Sequence, residues 1–118
     1  MRQQIDLEEF SDEQRISYLY SESLVEMNLG HLERARSLVD ERLRIAQQHG
    51  LQREEANCNN FLGNLAAQLG RIEESRVYYQ RSLDLSRQLG LRRAEAITLF
   101  NLGEAALQLG EWEQAQQY

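Results

Sequence analysis

The stretch NFLGNLAAQLGRIEES, residues 60–75, returns in outline as NLGEAALQLGEWEQA at residues 101–115. Laying residues 31–70 over 71–110 makes fifteen of forty positions identical, among them Glu33/Glu73, Arg36/Arg76, Leu43/Leu83, Gly50/Gly90, Leu62/Leu102, Gly63/Gly103 and Gly70/Gly110. Such self-similarity means the chain is built of units. Working outward, glycines stand at 30, 50, 70, 90 and 110, and the segments between them carry apolar residues at helical spacing. Each segment is one helix. Glycine just beyond a helix end takes the left-handed conformation that closes the last turn, at a cost no other residue matches. Helices are predicted at about 12–29, 32–49, 54–69, 72–89, 94–109 and 112–118, with no competing strand signal. Leu51 and Leu91 then fold back onto Ile45 and Leu85, and Ser11 with Gln14 forms a capping box opening the first helix. Glu33, Glu73, Glu74, Glu111 and Glu113 fall in first turns, where carboxylates suit the positive end of the helix dipole.

The 118 residues hold 13 arginines, no lysine and 19 acidic groups, for a net charge of −6, with 42% hydrophobic residues and no proline. One folded domain fits. A mean hydropathy of −0.64 leaves only a thin core, so the chain is elongated or partnered. Much of the negative charge lies in residues 1–13, where Arg2 faces Asp6, Glu8, Glu9, Asp12 and Glu13. Residues 1–11 are read as an acidic lead-in, loosely attached through Ile5, Leu7 and Phe10, and residues 12–118 as the folded body. A pI near 4.9 argues against nucleic-acid binding, which needs clustered cations. No apolar run approaches the roughly 20 residues that cross a bilayer, so no membrane partner is expected. The one cysteine, Cys58, and two histidines are too few for a four-ligand zinc site, which favours a reducing, cytoplasmic setting.

Gly63 and Gly103 sit inside predicted helices, where each costs roughly 1 kcal/mol relative to alanine. Close approach of two antiparallel helices compensates, with Gly63 opposite Ser75, Gly103 opposite Ala115, and Ser23 with Ala35 as the equivalent pair of the first unit.

Residues 60–75 and 101–115 resemble the tetratricopeptide repeat in its long variant of about 40 residues, and the resemblance covers residues 16–118. The first unit matches least, with Glu22-Ser23 where later units have Leu62-Gly63 and Leu102-Gly103. The resemblance implies antiparallel helix hairpins, each a helix A and a helix B, stacked as a right-handed superhelical solenoid. The units would be about 12–53, 54–93 and 94–118, the last incomplete. It also implies a binding function without catalysis: a protein or peptide partner lies in a concave groove lined by the A helices. Arrays of this length accompany bacterial signalling regulators and polarity scaffolds, which points to a module of a larger regulatory or scaffold protein.

On that stacking the groove takes Tyr20, Leu24 and Met27 from the first A helix, Asn60, Asn64 and Gln68 from the second, and Phe100, Asn101, Glu104 and Gln108 from the third. Asparagine and glutamine offer both a donor and an acceptor to an extended peptide backbone. Solvated polar positions on a helix face would read the same way. Some members of the family grip a C-terminal carboxylate with concave-face cations, but Tyr20, Asn60 and Phe100 hold that level here, so this specificity is not expected.

Nothing converges on a reaction, and no enzyme, cofactor or metal is expected. Cys58 has no histidine within a helical turn and reads as inert packing. His49 ends a helix and His31 sits in a tight turn. Glu54-Glu55, Glu73-Glu74 and Arg92-Arg93 read as solvated faces and turns, and Tyr78, Tyr79 and Trp112 as interhelical packing. The alternative to peptide binding is a spacer or a homodimer formed through the C-terminal end, where Leu102, Ala106 and Leu109 are only half covered.

Overall fold

The computed structural model describes residues 11–116, with side chains through Gly110. The expectations for the lead-in at residues 1–10, for the Trp112 side chain and for the last two residues lie outside that range. Five helices follow one another: α1 (Asp12–Asn28), α2 (Leu32–Gln48), α3 (Gln52–Gln68), α4 (Ile72–Leu89) and α5 (Arg92–Gln116). No strand occurs among the described residues. Each helix packs on its neighbour in sequence, and α3 also touches α5. The array measures 56 × 38 × 19 Å, so it is about two helix diameters thick rather than a closed bundle.

Four turns share one geometry. Gly30, Gly50, Gly70 and Gly90 have φ of 81°, 64°, 78° and 69°, and the residue after each donates its N–H five residues back. These bonds run from His31 to Glu26, Leu51 to Ala46, Arg71 to Ala66 and Leu91 to Ser86, each 2.8 Å long. Left-handed glycine thereby satisfies carbonyls that a helix end otherwise leaves open. The next helix starts at once, so α3 and α5 begin two residues earlier than predicted, at Gln52 and Arg92. Ser11 and Gln14 form the expected capping box, with Gln14 N–H donating to Ser11 Oγ at 3.3 Å.

Gly110 breaks the series. The glycine spacing predicts a turn there and a separate helix over 112–118, whereas α5 runs unbroken to Gln116 and Gly110 keeps a negative φ. Glycine permits a left-handed turn without enforcing one. Continuing α5 through Gly110 adds one backbone hydrogen bond per residue.

The core is two clusters in series. Ile16, Leu19 and Ile45 join α1 to α2, with Leu51 folded back onto them as predicted. Ala35, Val39, Cys58, Leu62 and Leu65 join α2 to α3, with Met27, Phe61 and Tyr78 packed against them. The α3–α4–α5 junction is more polar: Tyr79, Leu83 and Ala105 are buried with Ser82, Ser86 and Thr98. Ser82 donates across the interface to the Ala56 carbonyl at 2.9 Å. Among the B helices, Arg36 reaches Glu74 at 2.8 Å and Arg71 reaches Glu33 at 3.5 Å. Glu74 is thus an interhelical link rather than a solvated charge.

The reason for Gly63 differs from the one expected. A Cβ there would stand 2.5 Å from Cδ1 and Cε1 of Tyr79, so the aromatic ring, not Ser75, requires glycine. Gly103 has nothing within 4 Å of the equivalent point. Its predicted partner Ala115 lies on the same helix.

Candidate functional site

Because α1, α3 and α5 are the odd-numbered members of an antiparallel series, they run parallel and place repeat-equivalent residues side by side. Ser17, Asn57 and Ile97 are exposed at one level, and Glu13, Arg53 and Arg93 at the level before it. One level further on stand Tyr20, Asn60 and Phe100, of which Tyr20 is 46% and Phe100 65% exposed.

The asparagines are brought together, with their polarity set. Asn60 Oδ1 accepts from Asn101 Nδ2 at 3.1 Å and from Thr98 Oγ1 at 3.4 Å, tying α3 to α5. Asn64 Oδ1 accepts from the Tyr79 hydroxyl at 2.6 Å, tying α3 to α4. The sequence reading gave each asparagine both a donor and an acceptor. In the fold, the amide N–H groups of Asn60 and Asn64 and the carbonyl of Asn101 are what these bonds leave unused. Gln68, Glu104 and Gln108 are exposed and Leu24 is half-buried. Met27 instead turns inward onto the α2–α3 core.

Tyr20 lies over a residue that sequence reading missed. The Arg42 guanidinium sits 4.9 Å from the centre of the Tyr20 ring and is 2% exposed. Its Nη2 meets Glu54 Oε2 at 3.3 Å, while Nε and Nη1 have no hydrogen-bond partner. Arg42 comes from a B helix, so a search confined to A helices could not find it. Together with Ser17, Tyr20, Ser21, Glu54 and Asn57 it lines an open recess of about 460 Å³ between α1 and α3. Asn57 also borders a second recess, of about 430 Å³, between α3 and α5. The forty-residue period was the signal that could have placed Asn57 beside Ser17 and Ile97.

The groups capable of chemistry are tied down. Burial pushes the Cys58 thiol up to about 11, against a smaller opposing pull from Arg42, so the thiol stays protonated. Burial, with the Glu104 charge second, pushes the Tyr79 hydroxyl up to about 12. His31 Nδ1 bonds Glu26 Oε2 at 2.7 Å, and His49 Nε2 lies 3.2 Å from Asp12. Among the described residues no three His, Cys, Asp or Glu side chains gather as metal ligands. No described helix is long and apolar enough to cross a membrane.

The tetratricopeptide repeat family matches residues 53–118, which span α3, α4 and the length of α5. The chain belongs to that family. Comparison with curated proteins finds no significant match. The α1–α2 hairpin precedes the matched region and carries the same glycine turns, so the structure extends the repeat pattern to it. Tetratricopeptide repeats are non-catalytic units that generally mediate protein–protein interaction.

Proposed function

We propose that the parallel face of α1, α3 and α5 receives an extended segment of a partner protein. The observation that carries this reading is the Asn60–Asn101 bridge, whose remaining amide N–H and carbonyl groups match the alternating needs of a peptide backbone. Tyr20 and Phe100 supply exposed aromatic surface on either side. The long-repeat resemblance supports a place within a regulatory or scaffold protein of bacterial type, and the thiol of Cys58 accords with a cytoplasmic one. Selection from a displayed library of random dodecapeptides tests the reading. The wild-type chain should enrich peptides that the Asn60→Ala/Asn64→Ala/Asn101→Ala variant, shown folded by its melting curve, no longer holds. Equal capture by the folded variant overturns it.

A second reading has its own observation. On α3 the face bearing Leu62, Gly63 and Ala66 is buried under α4, whereas on α5 the equivalent Gly103 and Ala106 are exposed and Leu102 is half-buried. A second copy covering that face would make a homodimer. Sedimentation should then show a dimer that Ala106→Glu dissociates, and a monomer at high concentration rules this out.

A further inference from the structure

We propose that the recess between the first turns of α3 and α5 is an acidic-peptide site, with carboxylates on Arg53, Arg92 and Arg93 and an apolar side chain on Leu91, Ala94 and Ile97. Apart from Asn57, these six residues are its whole lining, about 430 Å³ of cationic rim over an apolar floor. In this acidic chain five of the described arginines are neutralised locally. Arg34, Arg36, Arg42, Arg71 and Arg87 each lie within 3.9 Å of a carboxylate oxygen. Arg53, Arg92 and Arg93 make no ion pair with any described residue.

Two of the carboxylates in the first turns of α3 and α5 are committed elsewhere, Glu54 to Arg42 at 3.3 Å and Glu95 to Arg87 at 2.9 Å. Three like charges around one depression repel each other, and an external anion relieves that repulsion. The apolar floor asks for more than a bare anion, since Ile97 is 48% exposed and gains from covering by an aliphatic or aromatic side chain. A nucleic acid would need a longer basic track, and the net charge of −6 opposes it. Asn57 borders both this recess and the one beside Arg42, so a bound chain continues from α5 across α3 toward α1.

The site rests on the peptide-binding reading and specifies its ligand. The same dodecapeptide selection should enrich Asp and Glu next to an apolar residue, with binding that falls about tenfold between low and high salt. The Arg53→Glu/Arg93→Glu variant changes two exposed residues without ion pairs and should fold normally. It should lose the acidic preference and select basic peptides. Enrichment of neutral or basic peptides by the wild type overturns the site, as does tighter binding of a twelve-nucleotide single strand than of the selected peptides. If the folded arginine variant keeps the acidic preference while the asparagine variant loses all capture, the groove stands and the arginine site falls. If neither protein nor variants enrich any peptide, both fall.

Discussion

Gly63 is the glycine at which an added Cβ would strike a neighbour, the Tyr79 ring. Position 63 corresponds to Ser23 one repeat earlier, and position 79 to Val39, so the two units exchange volume across one interface. Gly63→Ala places a methyl against a ring that is 3% exposed and held by Asn64, so the ring cannot step aside. Overpacking of this kind costs about 1–3 kcal/mol, more than the roughly 1 kcal/mol of helix propensity gained. Gly103→Ala meets nothing and should stabilise by up to about 1 kcal/mol. Urea unfolding of the two variants should therefore give opposite signs. In a double-mutant cycle, Gly63→Ser with Tyr79→Val should cost less than the two single changes summed.

Tyr79 also leaves a mark on pH dependence. Its folded value of about 12 exceeds the ordinary 10.0, so the folded state holds the phenol proton that the unfolded chain releases. The associated stability is intact below pH 10 and is lost as pH rises toward 12. Cys58 behaves alike from its ordinary 9.0 to about 11. Denaturation midpoints should fall through this alkaline range, and less steeply in Tyr79→Phe. At this scale the sequence showed that Gly63 needed a compensating contact but not which one. The identity depends on how far a tyrosine ring reaches across an interface.

Between helices, the glycines divide by conformation rather than by spacing. Gly50 has a φ of 64° and closes α2, whereas Gly110 continues α5 as helix. Gly50→Ala should lose about 1 kcal/mol or more, because a Cβ is disfavoured in the left-handed region. Gly110→Ala should gain up to about 1 kcal/mol. Paired urea titrations check both, and a loss at Gly110 would mean that a turn forms there after all. Helix positions were legible because each glycine turn is a local event, complete within six residues. The behaviour at Gly110 was not, because a turn persists only where the following helix finds enough surface to bury.

For the whole array, stability resides in the contacts between successive hairpins. Arg42 spans one of them, lying under Tyr20 of α1 and beside Glu54 of α3. Two of its buried nitrogens lack partners, so the pair is a poor source of stability. Arg42→Met should leave the melting temperature unchanged or raised, whereas Arg42→Ala should lower it by opening a cavity. A large loss in the methionine variant would show that the guanidinium itself holds the first two hairpins together.

The forty-residue period and its glycines were enough for the hairpins, the family and the parallel run of the A helices, since each follows from local turn geometry and from which residues share a helical stripe. Coordinates were needed for the rest: Tyr79 against Gly63, Arg42 reaching the face from a B helix, and Arg53, Arg92 and Arg93 left without ion pairs around one recess. Those relations depend on side-chain reach and on the offset between neighbouring helices. Nothing in the order of residues along the chain specifies either until the hairpins have stacked.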